Sequence, residues 1–174
     1  MLKILAAVAA VLVLAVLVVL VLAARQPDTF QVVRSTTINA PPDSVYAAIA
    51  DVEHAPSWRT GLQKVEVLSR NPMRWRETAE WGTITFVRDE EMPPQRLVGR
   101  IADESEGFGG TWTYELAESV GSGTDVVITE NGTVSNPVFR FLSKFVFGHY
   151  TSLETYARDL AKRFGGDAEP VRIN

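Results

Sequence analysis

A small set of ionisable side chains has the types and settings that acid–base chemistry needs. Asp51 and His54 lie three residues apart, a spacing that on one helix brings a carboxylate near an imidazole. Glu77 and Glu130 each follow alternating apolar residues, and His149 lies in an apolar stretch. Carboxyls that enter an apolar space have raised pKa values, which suits them to proton transfer or to binding a polar ligand head. Glu77, Glu130 and His149 are therefore the catalytic candidates.

Each of these residues also has a structural interpretation. Asp51 and His54 can end a short helix and pack at a turn, so the pair is either a site or a hinge. Glu77 can instead form an ion pair with an arginine, of which the chain offers Arg74, Arg76 and Arg88. With two histidines and no cysteine, the chain lacks the ligands of the usual zinc sites. We predict no metal and no cofactor.

The aromatic side chains form a second candidate set. Most aromatic residues of an ordinary domain fill its core, and that interpretation stays open for each one. Their concentration in FRFLSKFVFGHY, residues 139–150, exceeds what one contact between a helix and a sheet requires. We predict a ligand-binding set that consists of Trp58, Trp75, Phe86, Trp112, Tyr114, Phe141, Phe145 and His149.

The first part of the chain is a candidate membrane segment. Residues 4–24 carry no charge and are almost all Val, Leu and Ala. As a helix they span about 30 Å, one hydrocarbon core, whereas the core of a cleaved signal peptide is about 7 to 15 residues. We predict a single-pass anchor. Lys3 and the terminal amine, set against Arg25 with Asp28 close behind, favour a folded domain on the extracytoplasmic side.

The charge balance excludes one class of partner. The chain has 17 basic and 21 acidic residues, a formal net charge of −4, and no clear basic patch. A nucleic-acid-binding surface needs the opposite sign, so we predict no nucleic acid partner. The absence of cysteine excludes disulfides and is compatible with either side of a membrane. The oligomeric state stays open.

The elements that must position the candidates can be read from the residue pattern. Residues 29–40 alternate as a strand, and two short helices are predicted at 42–50 and 52–58, the second of which Pro56 prevents from continuing. Residues 62–134 form six alternating segments separated by turn residues. A long helix is predicted over 137–164, ended by the glycine pair at 165–166.

The predicted long helix has an apolar stripe and a polar side. Its stripe consists of Leu142, Val146, His149, Leu153, Ala157, Leu160 and Phe164. The pairs Glu154/Arg158 and Asp159/Arg163 lie four residues apart and are predicted to face water.

This order of elements resembles the SRPBCC or START-like superfamily, and within it the polyketide cyclase/dehydrase and lipid-transport type. The resemblance lies in INAPPDSVYAAIADVEHAPSWRTGLQKVEVL and in the ending TENGTVSNPVFRFLSKFVFGHYTSLETYARDLAKRF. It implies an α+β helix-grip fold, in which a seven-stranded curved antiparallel sheet wraps a long terminal helix. It also implies a cavity between sheet and helix, closed at one end by two short helices.

We therefore predict an anchor at 1–25, a linker at 26–29, a START-like domain at 30–166 and a tail at 167–174. The favoured function is membrane-tethered binding of a hydrophobic small molecule or lipid in the cavity. One alternative is a polyketide cyclase or dehydratase that uses the acidic residues. The other is a structural or partner-binding domain with a filled core.

Overall fold

A computed structural model describes residues 1–25, 27–80, 82–103, 107–137, 140, 150–167 and 169–173. Its helices and strands are, in chain order, α1 (Leu2–Ala24), β1 (Thr29–Ile38), α2 (Pro42–Ala50), β2 (Leu62–Arg70), β3 (Met73–Ala79), β4 (Gly82–Met92), β5 (Arg96–Ile101), β6 (Phe108–Glu118), β7 (Thr124–Val134), α3 (Thr151–Arg163) and β8 (Val171–Arg172). A 3₁₀ turn spans Ala55–Ser57.

The strands form one antiparallel sheet in the order β2-β3-β4-β5-β6-β7-β1-β8. The chain runs from β2 to β7 as a meander, and β1 then pairs with β7. Packing of α2 and α3 against this sheet confirms the predicted helix-grip fold. Within the described residues the sheet has eight strands rather than the predicted seven.

The additional strand is the short β8, which lies in the predicted tail. Val171 pairs with Ser35 and Arg172 with Arg34, on the side of β1 that β7 leaves open. A pair of residues shows no periodicity, so the sequence pattern does not reveal it. It covers backbone groups that an edge strand would otherwise expose.

The core lies between the sheet and its two helices. Val45, Tyr46, Ala48 and Ile49 of α2 are buried. On α3, Leu153, Ala157 and Leu160 have no exposed surface and pack with β-strand residues such as Ile128. The helix ends at Arg163, and the N–H of Gly166 bonds to the carbonyl of Ala161 at 3.0 Å. The amino-terminal part of the predicted long helix, at 138–139 and 141–149, lies outside the described residues.

One polar residue of α3 is buried, contrary to the sequence prediction. Asp159 is 6% exposed, and its carboxylate accepts hydrogen bonds from the Thr60 N–H at 2.6 Å and the Thr60 hydroxyl at 3.0 Å. The helical periodicity predicted that Asp159 faces water. It could not show that the turn before β2 packs over that side of the helix. The carboxylate therefore links α3 to the turn that precedes β2.

Replacing Asp159 with alanine should therefore destabilise the domain. Loss of hydrogen bonds to a buried carboxylate is expected to lower the free energy of unfolding by about 2 kcal/mol. Asp125→Ala is the matched control, because Asp125 also accepts a threonine hydroxyl, at 2.7 Å, but at an exposed site. We expect it to cost about 0.5 kcal/mol in the same urea titration. Equal losses for the two variants would contradict this role.

The amino-terminal helix α1 stands apart in composition from the other elements. Over Lys3–Leu22 it is long and apolar enough to cross a membrane, and that span is not buried within the protein. A membrane anchor and a signal sequence share these properties.

Candidate functional site

The pairing register places the predicted strand residues on one face of the sheet. Side chains of directly opposed residues point to the same side, and those of successive residues alternate. Trp112 lies opposite Glu130 on one side and Gly99 on the other. The pairing register continues from β5 across β4 to β3. It places Trp75, Glu77, Phe86 and Tyr114 on the same face of the sheet as Trp112 and Glu130. We call it the inner face, since it is the face that α3 covers.

A tyrosine of α3 joins the aromatic residues of the inner face. The Tyr156 ring centroid lies 5.8 Å from that of Trp112, 5.4 Å from that of Tyr114 and 5.4 Å from that of Trp58. Trp75 and Phe86 stack at 5.5 Å elsewhere on the face. Tyr156 is not among the predicted ligand-binding residues, although its spacing from Leu153 and Leu160 places it on the same buried stripe.

Glu77 forms an ion pair within the protein, so its carboxylate is not free to bind a ligand or transfer a proton. The Arg59 guanidinium donates to its Oε1 at 2.7 Å, and the Trp75 indole N–H donates to the same oxygen at 3.0 Å. The predicted partners Arg74, Arg76 and Arg88 are therefore wrong. Arg74 and Arg76 alternate to the other face, and Arg88 donates to the Ala50 carbonyl at 2.7 Å. Arg59 comes from the turn before β2, which no strand periodicity relates to Glu77.

Arg59 stays charged although its side chain is mostly buried. Burial acts to lower the pKa of Arg59, but the charge and hydrogen bond of Glu77 outweigh it and raise the pKa. The guanidinium also lies 5.1 Å from the centroid of the Tyr156 ring, in a cation–π contact. Burial raises the pKa of Tyr156 to about 12 and that of Tyr114 well above its ordinary value, so both phenols stay protonated.

Glu130 is in a different state. It lies opposite Val32 and Trp112, and the Trp112 side chain donates a hydrogen bond to it. Its Oε2 atom is shut off from solvent and has no hydrogen-bond partner within the described part of the chain. Burial raises the pKa of Glu130 from 4.5 to about 7, against the smaller opposing effect of the Trp112 hydrogen bond. Such a carboxyl can donate or accept a proton near neutral pH.

The remaining predicted residues do not join this cluster in the described structure. His54 Nδ1 lies 2.8 Å from the Asp51 carboxylate, and both side chains are substantially exposed. The hydrogen bond from His54 lowers the pKa of Asp51, and the pair lies between α2 and the 3₁₀ turn. Among the described residues no group of three or more metal-ligating side chains occurs. Phe141, Phe145 and His149 lie outside the described residues.

Two surface grooves are lined by described residues. One, of about 720 Å³, lies beside Met92, Pro94 and Arg96, and the other, of about 540 Å³, beside Gln31, Arg100 and Asn131. Neither includes a residue of the aromatic cluster around Tyr156. The cavity implied between the sheet and the terminal helix stays a prediction, because residues 141–149 lie outside the described residues.

Most of the folded part of the chain matches a protein-family model. Residues 38–152 match the model of a family described as polyketide cyclase / dehydrase and lipid transport. The comparison with curated proteins returns no match.

Solved structures share the fold at low sequence identity. The Zhui aromatase/cyclase from Streptomyces sp. R1128 is 16% identical, with a TM-score of 0.67 over 79% of this chain and 94% of that chain. A START superfamily protein from Mycobacterium smegmatis is 15% identical, with a TM-score of 0.64 over 78% and 97%. Norcoclaurine synthase from Thalictrum flavum is 10% identical, with a TM-score of 0.63 over 78% and 86%. At these identities the likeness establishes the fold alone.

Proposed function

The chain belongs to the polyketide cyclase/dehydrase and lipid transport family, and from this we propose that its domain binds an apolar small molecule or lipid on the inner face. The polar end of the molecule lies at Glu130, and its apolar part lies against Trp112 and the neighbouring rings. The α1 helix anchors this binding module in a membrane.

The observation that carries the proposal is the unpartnered oxygen of Glu130. A buried polar atom without a hydrogen bond costs about 1–3 kcal/mol, so native structures leave few of them. A hydroxyl or carbonyl of a bound molecule would supply the missing hydrogen bond. The surrounding rings offer apolar area to the rest of it, which matches the usual composition of ligand sites.

Trp112→Ala tests the proposal on the full chain, purified and transferred to amphipol. The intact protein is expected to retain an apolar molecule that solvent extraction and mass spectrometry detect, and to bind a fluorescent fatty acid. Loss of the indole should weaken probe binding about tenfold or more, which corresponds to about 1.4 kcal/mol. Thr111→Ala is the control, because Thr111 precedes Trp112 and faces the other side of the sheet. If no molecule co-purifies and no probe binds below about millimolar concentration, the proposal is wrong.

The length of the apolar run supports a membrane anchor, independently of the binding site. The uncharged run at 4–24 exceeds the about 7 to 15 residues of a signal-peptide core. Deletion of residues 2–24 is expected to move the protein from the carbonate-washed membrane fraction to the soluble fraction. Mass spectrometry of the membrane-bound protein should still detect the peptide that contains Arg25 joined to the apolar run. A mature chain that begins after Ala24 would contradict the anchor. The charges beside the helix favour the domain on the extracytoplasmic side.

The raised pKa of Glu130 favours a second function, that of an enzyme. A carboxyl whose pKa is about 7 is matched to general acid–base catalysis near neutral pH, as a cyclase or dehydratase requires. Glu130→Gln separates the two functions because the amide still forms hydrogen bonds but cannot transfer a proton. A binding module keeps its affinity within about threefold. An enzyme loses turnover by about 100-fold or more while still binding its substrate.

A further inference from the structure

The chain between α1 and β1 is too short to let the domain orient freely. From Ala24 to Asp28 the fully extended backbone reaches about 14 Å. The headgroup layer of a bilayer takes up about 6 Å of that distance. Arg25 shortens the reach further, because its N–H still bonds to the Val21 carbonyl at 3.2 Å. The first residue of the folded domain must therefore lie close to the membrane surface.

That first residue is fixed to one end of the sheet. The Val134 N–H donates to the Asp28 carbonyl at 2.8 Å, and Phe108 pairs with Val134. We call the end formed by Asp28, Phe108 and Val134 the near end. The far end, at Ile38 and Thr124, lies about 30 Å away along β1 at about 3.3 Å per residue.

The polar centre of the inner face lies towards the near end. Glu130 is opposite Val32, about 10 Å along β1 from its first residue at about 3.3 Å per residue. The far end is closed by α2 and its flanks: the Thr124 hydroxyl donates to the Ala40 carbonyl at 2.6 Å, and Val45 is fully buried there. A molecule bound beside Glu130 is therefore nearer to the membrane end than to the closed end.

We infer that the near end faces the bilayer that holds α1, and that the apolar ligand passes directly between this bilayer and the inner face. The orientation of the near end rests on the short tether, and the passage of the ligand rests on the proposed binding function. Phe108, an apolar side chain of the near end that is 37% exposed, lies where it can touch the headgroup layer. The sequence that joins β5 to β6 carries three carboxylates within residues 103–106. Carboxylates do not attract anionic lipid, so in this proposal the tether alone holds the near end at the membrane.

Single cysteines test the orientation cleanly, because the natural chain contains none. Phe108→Cys labels the near end, and Val120→Cys, at an exposed position between β6 and β7, labels the far end. The full chain carrying a bimane label is incorporated into phosphatidylcholine vesicles that contain spin-labelled lipid. We expect the lipid quencher to quench the near label several-fold more than the far label. Equal quenching of both labels, or quenching of neither, overturns the inference. Asp103→Cys is a second near label if Phe108→Cys folds poorly.

A lengthened tether tests the direct exchange. A flexible Gly/Ser insert of about 20 residues after Arg25 adds roughly 25 Å of mean reach and frees the near end from the surface. Transfer of a fluorescent fatty acid from the vesicles should slow several-fold, while binding of the same probe in amphipol stays unchanged. An unchanged transfer rate contradicts direct exchange. Absence of binding in amphipol overturns the proposed function and with it the exchange, whereas unequal label quenching would still establish the orientation.

Discussion

Glu130→Gln is expected to remove most of a pH-dependent loss of stability that the natural protein shows between about pH 4.5 and 7. In the unfolded chain the glutamate titrates near its ordinary pKa of 4.5, whereas burial raises the folded-state pKa to about 7. Between these values the folded state binds more protons than the unfolded state, so raising the pH favours unfolding. The stabilising contribution is complete below pH 4.5 and is lost as the pH rises through 7.

The size of this effect follows from the difference between the two pKa values. The natural protein is expected to lose about 3 kcal/mol of its free energy of unfolding over this pH range. The Glu130→Gln variant should not show this loss, because the amide of glutamine does not titrate. Urea titrations of the full chain in detergent micelles, followed by tryptophan fluorescence, measure it directly. Glu115→Gln is the matched control, because Glu115 lies on the outer face of β6, paired with Arg96 at 2.7 Å. A Glu130→Gln curve that runs parallel to that of the natural protein at every pH would show that this carboxyl is not desolvated.

Removal of either partner of the Arg59–Glu77 pair should destabilise the domain by about 3 kcal/mol, because the other charge stays buried and unpaired. The two side chains are 24% and 11% exposed. Removal of both should cost clearly less than the sum. We expect a coupling free energy of about 2 kcal/mol in the cycle of Arg59→Leu, Glu77→Leu and the double variant.

An exposed pair provides the comparison for this cycle. Arg70 and Glu53 lie 3.0 Å apart, with side chains 71% and 46% exposed. Their coupling free energy should be at most about 0.5 kcal/mol, since water screens the charges. Strictly additive losses at Arg59 and Glu77 would mean that the buried pair contributes no more than this exposed one. The Trp75 indole, which donates to Glu77, would then have to carry the cost of the Glu77 variant.

Strand alternation predicted which side chains share a side within each strand, because the period of a strand is independent of its surroundings. It grouped Glu77 and Glu130 each with the apolar residues of its own strand, and the pairing register shows that Trp75, Trp112 and Glu130 share a face. Helical periodicity likewise predicted the buried side of α3. The two-residue β8 was missed because it is too short to have a period.

Residues that meet through turns could not be predicted in this way. Arg59 reaches Glu77 from the loop before β2, and Asp159 meets Thr60 in the same region, so both partners depend on tertiary folding. Alternation grouped Glu130 with apolar residues of its strand. It could not show that one carboxyl oxygen of Glu130 lacks a partner among the described residues, because that depends on every neighbour. The family resemblance supplied the architecture, while the polar detail of the site required coordinates.

Photolabelling with an alkyl diazirine lipid in nanodiscs most directly tests whether an apolar molecule occupies the inner face. Two strand carboxyls on opposite faces, Glu130 and Glu115, give an internal comparison within one protein. We predict adducts on Glu130 and Trp112 that unlabelled fatty acid displaces, with little or no labelling of Glu115. Adducts confined to α1, or found equally on Glu115 and Glu130, would contradict binding on the inner face.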